Sequence, residues 1–138
     1  MTQSYLLDTN IVSEPLRPRP NKRVIDSLKK HQHEIAIASI VWHELLTGCE
    51  RLPKSVRRSA LESYLFEVIS PTIPILPYDH EAAAWHAVER ARLMGEGKTP
   101  PFADGQIAAV AATNSMILVT FNLNDYKCFN HLTIEDWR

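Results

Sequence analysis

The sequence predicts a single α/β domain in which a parallel sheet is wrapped by helices. Two observations carry this. Short apolar runs alternate with stretches whose apolar residues recur at helical spacing, the pattern of strand–helix–strand units. The chain also has 138 residues, an ordinary length for one domain. A chain of that size buries about two thirds of its unfolded surface without a disulfide or metal staple. Residues 1–138 are therefore read as one domain.

Taken in order, Tyr5, Leu6 and Leu7 form a short buried strand that stops at Asp8-Thr9-Asn10, a turn-forming triplet. Pro15, Pro18 and Pro20 stiffen a basic loop. Residues 21–31 read as a helix with Val24, Ile25 and Leu28 inward, and residues 34–38 as a second strand. Ser39 is placed to cap the next helix, whose stripe of Val41, Leu45, Gly48, Cys49 and Leu52 falls at about 100° per residue and ends at Pro53. A further helix is expected over residues 55–69, carrying Val56, Leu61, Leu65, Val68 and Ile69. Residues 72–76 form a third strand, and Pro74 assigns it to a sheet edge. Asp79 caps a long alanine-rich helix that stops at Gly95-Glu96-Gly97. After a loop, Asp104 opens a helix with Ala103, Ile107 and Ala111 on one face. Residues 116–120 are the strongest strand, followed by the polar segment Asn122-Leu123-Asn124-Asp125 and a last strand at residues 132–134.

Composition removes several function classes. The 15 Lys and Arg nearly balance 16 Asp and Glu, so the net charge of −1 gives no global attraction to nucleic acid or membranes. Binding of that kind must come from local patches. No apolar run reaches the roughly 18 residues of a membrane span, and the first four residues show no secretory signal. Two cysteines, Cys49 and Cys128, without paired spacing, point to a reducing compartment, hence the cytoplasm, and away from a zinc site.

Ligands of open parallel sheets sit beyond the carboxyl ends of the strands, where the strand order reverses. Asp8 ends the first strand; Asn122 and Asp125 follow the strongest one. Glu44 lies on the shoulder of its helix's apolar stripe, and Asp104 sits at a helix N-terminus, where the macrodipole favours an anion. Carboxylates gathered in one place repel unless some are protonated or a hard cation joins them. Mg²⁺ takes oxygen ligands and suits a site of a few Asp and Glu. Each residue also has a plainer role: Asp8 as a turn former, Asp104 as a helix cap, Glu44 as a solvated helix residue, Asn122 and Asp125 as loop formers. Arg17, Arg19, Lys22 and Arg23 follow the first strand, and Lys54, Arg57 and Arg58 flank the next motif helix. Both clusters are candidate phosphate contacts.

Asp8-Thr9-Asn10 after an apolar strand, Glu44 within Trp42-His43-Glu44-Leu45-Leu46, Asp104 within Phe102-Ala103-Asp104-Gly105-Gln106, and Thr120-Phe121-Asn122-Leu123-Asn124-Asp125-Tyr126 together resemble the PIN-domain family. Within it the likeness is to VapC toxins of type II toxin–antitoxin pairs. Residues 7–18 look like the FitB-like branch. The four motifs stand in order and span nearly the whole chain. The resemblance implies a three-layer α/β/α fold with sheet order 3-2-1-4-5. It also implies a Mg²⁺-dependent endoribonuclease (Mn²⁺ as substitute) that leaves 5′-phosphate and 3′-hydroxyl ends. Asp8 and Asp104 would bind the metal directly and Glu44 would support it. Either Asn122 or Asp125 would supply the fourth polar group, with Asp125 favoured for its charge. Phe121 stands where the family commonly has Arg, and Tyr126 where it has Phe. Implied partners are a small VapB-like antitoxin, RNA, operator DNA in a higher complex, and a second copy of the chain as a homodimer.

Competing motifs fail. No glycine-rich phosphate loop exists, and His43-Glu44 lacks the second His of a zincin helix. The rival reading from another class is a FitB-like nucleic-acid-binding regulatory subunit, acting with a DNA-binding antitoxin and cutting little.

Overall fold

The computed structural model describes residues 4–138; residues 1–3, on which the expected lack of a signal segment partly rests, lie outside it. The strands are β1 (Tyr5–Leu7), β2 (Ile35–Ala38), β3 (Ile75–Leu76), β4 (Ile117–Val119) and β5 (Ile134–Glu135). They form one sheet in the order β3-β2-β1-β4-β5, with every pairing parallel. Both the fold class and the order are as expected. Ala36, Ile37 and Ala38 are consecutive and fully buried. Successive strand residues point to opposite faces, so both faces of the sheet are covered by helices.

The order reverses between β1 and β4, where Leu7 lies opposite Val119. Their carboxyl ends therefore emerge side by side, and the next residues, Asp8 and Thr120, face one another across the switch point. Around the sheet stand α1 (Thr9–Ser13), α2 (Lys22–Lys30), α3 (Ser39–Glu50), α4 (Val56–Ser63), α5 (Ser70–Thr72), α6 (His80–Gly95), α7 (Phe102–Thr113) and α8 (Leu123–Tyr126).

Several local expectations are corrected. Asp8-Thr9-Asn10 is no isolated turn; Asp8 is the N-cap of α1, its carboxylate accepting from Thr9 N–H. Ser39 is the first residue of α3 and Ala38 occupies the cap position without a side-chain bond. Asp104 does not cap α7 either: Pro101 holds that position and Asp104 lies within the first turn. The helix expected at 55–69 begins at Val56 with Ser55 as its cap, then widens into a π-helical segment over Tyr64–Ile69. That segment lets Tyr64 reach across to donate its hydroxyl to the Val12 carbonyl at 2.7 Å, satisfying a helix-end acceptor. Of the apolar residues this helix was expected to carry, Val56 and Val68 are 88% and 49% exposed; the inner face is carried by Leu65 and Ile69. β3 is shorter than expected because α5 runs to Thr72, and it does lie at the edge, with the Pro74 carbonyl accepting from Ile37 N–H. Asp79 caps α6 as expected, accepting from Ala82 N–H at 2.9 Å. Among the described residues no helix is long and apolar enough to cross a membrane.

Candidate active site

Asp8 ends β1 with its backbone still in the ladder: Asp8 N–H donates to the Val119 carbonyl at 2.9 Å. Its side chain is 6% exposed and held at both oxygens. Oδ1 accepts from Thr9 N–H at 2.8 Å and Oδ2 from the Thr120 hydroxyl at 2.7 Å. Burial nevertheless raises its pKa; the two donors oppose this, and the charge of Asp125 adds to it.

Glu44 comes from the second turn of α3, open to solvent on one side. Thr9 Oγ1 donates to its Oε1 at 3.1 Å. Its pKa is raised chiefly by burial of its inner side, and the charge of Asp8 contributes. Asp104, in the first turn of α7, accepts on Oδ1 from the Tyr126 hydroxyl at 3.4 Å. Its carboxyl is pushed up to about 6 by burial, then by the charges of Asp8 and Asp125, with a smaller part from Glu44. A carboxylate in the first turn of a helix is ordinarily favoured in its charged form. Here burial and like charge outweigh the helix dipole.

Three sequence-predicted carboxylates, Asp8, Glu44 and Asp104, are thus drawn into one field, and Asp125 on α8 acts on both Asp8 and Asp104. Among the described residues none of the four pairs with a Lys, Arg or His. Nor do three His, Cys, Asp or Glu side chains converge closely enough to hold a metal ion as they stand. The four acids feel one another's charge. Asn122 stands at the entrance to α8 with an exposed side chain that caps nothing; its N–H donates to Thr120 Oγ1 at 3.0 Å.

The basic candidates divide. Arg17 lies 3.7 Å from the buried Glu14 carboxylate and lines a groove of about 850 Å³ that starts at Thr9 and Glu44. Leu45, Leu52 and Leu61 line it further along, and Arg57 contributes a second cation. Arg19, Lys22 and Arg23 are exposed and do not line this groove. Arg58 is taken up structurally by Glu62, Glu50 and the Leu52 carbonyl.

Sequence reasoning missed the hydroxyls of Thr9, Thr120 and Tyr126. The signal was present for Thr9 and Thr120, since one adjoins Asp8 in sequence and the other faces it in the parallel register. Glu14 was missed as well. It is 3% exposed, with Oε1 accepting from Asn21 N–H and Oε2 without a hydrogen bond.

The PIN domain family model matches residues 5–128. Toxin FitB of Neisseria gonorrhoeae is 34% identical over 137 residues, covering 96% of this chain and 97% of the relative. Ribonuclease VapC2 of Haemophilus influenzae is 31% identical over 134 residues, covering 96% and 97%. A structure of FitAB bound to a DNA fragment superposes with a TM-score of 0.88 at 32% identity, covering 97% of this chain and 96% of that one. The matched span takes in every acidic residue of the switch point, and the chain belongs to the PIN-domain family, in its branch of VapC- and FitB-type toxins.

Proposed function

We propose that this chain is the toxin of a type II toxin–antitoxin pair and a Mg²⁺-dependent endoribonuclease. The observation that carries the reading is the meeting of the Asp8, Glu44, Asp104 and Asp125 charges at the carboxyl ends of β1 and β4, with none of them ion-paired to a Lys, Arg or His among the described residues. Such a cluster is disfavoured unless a cation is present or a carboxyl holds its proton, and Asp104 at about 6 is poised between the two.

The donor set suits a hard divalent ion, being carboxylate oxygen without sulfur. Asp8, Asp104, Glu44 and Asp125 would hold it. Bound there, such an ion supplies charge neutralisation and an activated water for phosphodiester hydrolysis. The chain's own residues do the rest. Thr9 and Thr120 fix the Asp8 carboxylate. Thr9 also orients Glu44 at the mouth of the groove. Arg17 and Arg57 present guanidinium groups to a phosphate backbone without reading its sequence.

The same groove suits a segment of a small VapB-like antitoxin, with apolar side chains against Leu45, Leu52 and Leu61. Solved relatives in this branch include toxin–antitoxin complexes on DNA. We extend to this chain a homodimer, such a complex on operator DNA, and a cytoplasmic location. The direct test is cleavage of RNA by the purified chain, with Asp8→Asn and Asp104→Asn expected to abolish it while leaving the protein folded. Cleavage by both variants at the wild-type rate would remove the acidic cluster from the mechanism.

The rival reading is a nucleic-acid-binding regulatory subunit that acts with a DNA-binding antitoxin and cuts little; it draws support from the similar FitAB structure, which is bound to a DNA fragment. A chain that binds operator DNA with its antitoxin and fails to cut any RNA in Mg²⁺ would establish that role instead.

A further inference from the structure

Three acids of the cluster each accept a hydrogen bond from a hydroxyl. Thr120 Oγ1 donates to Asp8 Oδ2 at 2.7 Å, Thr9 Oγ1 to Glu44 Oε1 at 3.1 Å, and Tyr126 Oη to Asp104 Oδ1 at 3.4 Å. The first two donors adjoin or face Asp8 in the chain. The third comes from α8, where a phenylalanine would fill the same space without offering a proton. Tyr126 is 2% exposed and among the largest fully buried side chains. Its ring packs near Phe129, with centroids 6.2 Å apart, so its hydroxyl is delivered from a fixed side.

We propose that Tyr126 is a positioning residue for Asp104: its hydroxyl engages Oδ1 and turns Oδ2 toward the space shared with Asp8 and Asp125. Among the described residues no other hydrogen bond reaches the Asp104 side chain. Without the phenol, that carboxylate is free to rotate about its Cβ–Cγ bond, and a bound cation must order it. Partners of metal-ligating carboxylates commonly change metal affinity by 10- to 100-fold. The long donor–acceptor distance places this case near the lower end.

This inference rests on the metal-site reading above and is tested by binding, not by turnover. Mn²⁺ is titrated into the wild-type protein and into Tyr126→Phe, and the loss of the free-ion electron paramagnetic resonance signal gives Kd. Melting is followed on both in chelator. The expected result is Mn²⁺ binding about tenfold weaker in Tyr126→Phe, with the variant still cooperatively folded in chelator. Equal affinity in the two proteins overturns the role. Absence of Mn²⁺ binding by the wild-type protein is a different failure: it overturns the metal site itself, and the positioning role with it.

Discussion

Thr120 donates its hydroxyl to Asp8 at 2.7 Å across the β4–β1 switch point, joining residues 112 positions apart in the chain. The contact follows from the sheet order. Because β1 pairs with β4 in register from Tyr5 with Ile117 to Leu7 with Val119, the next residue on each strand faces the other. A buried carboxylate with both oxygens engaged is fixed before any substrate arrives.

Replacing that hydroxyl tests its weight. Thr120 is fully buried, and Thr120→Val keeps the shape while deleting the donor to Asp8 and the acceptor of Asn122 N–H. The expected loss is about 1.5–3 kcal/mol of stability for a hydrogen bond to a charged group, read by denaturant melts at pH 7. A change below a few tenths of a kcal/mol would show that the bond contributes little.

Asp104 sets a pH dependence in the metal-free protein. Its folded value of about 6 lies above the ordinary aspartate value of 3.8, so the native state holds the proton more tightly than the unfolded chain does. Its stabilising contribution is full below about pH 4 and is lost as pH rises through about 6. Since the group is partly open to solvent, the effect is discounted to roughly 1–2 kcal/mol. Melts in EDTA from pH 4 to 8 should show this fall in the wild type, and Asp104→Asn should flatten it. An unchanged profile in Asp104→Asn would contradict the assignment.

Glu89 on α6 behaves with the opposite sign. Its carboxylate accepts from Arg92 at 2.9 and 3.1 Å and from Asn130 N–H at 2.6 Å, while Arg92 also donates to the Cys128 carbonyl. The Arg92 hydrogen bond holds its pKa below the ordinary 4.5. The stabilisation is present above about pH 4.5 and lost as pH falls through the lowered folded value. Glu89→Gln is expected to lose about 2 kcal/mol at pH 7, with the gap to wild type closing in acid. A gap that persists unchanged at pH 3 would show that the loss is steric.

Gly105, next to Asp104, is needed for close packing of α7 on α6. A Cβ there would lie 2.1 Å from His86 Nε2, and His86 is buried with Nδ1 bonded to the Tyr78 hydroxyl at 2.9 Å. Gly105→Ala is expected to destabilise by about 1–3 kcal/mol through overpacking. His86→Ala should relieve part of it in the double variant, and a double-mutant cycle reads the coupling. Strict additivity of the two changes would rule out the clash.

The strands and long helices were legible because their signals are local: apolar runs such as residues 116–120, the Asp79 cap, the Pro74 edge. The positions of Asp8, Glu44 and Asp104 were legible through motif order. What escaped depends on long-range register or helix phase. Asp104 looked like a cap because an acid near a helix start usually is one; Pro101 takes that position instead, a difference of three residues. Val56 and Val68 fit an apolar pattern, yet Val56 is the first residue of its helix and the widening at Tyr64 shifts which later residues face inward. The Tyr126 hydroxyl reaches Asp104 from 22 positions away, a contact that no spacing rule anticipates. The groove of Arg17, Leu45 and Leu61 is likewise assembled from three separate segments.

The central claim is metal-dependent RNA hydrolysis at the Asp8–Asp104 cluster. An end-labelled RNA is incubated with the purified, antitoxin-free chain in EDTA, and then with Mg²⁺ or Mn²⁺ in excess of the chelator. No cleavage in EDTA, with cleavage restored by either ion and absent throughout in Asp8→Asn, is the expected result. Full cleavage in EDTA, or cleavage by Asp8→Asn equal to wild type, would contradict it.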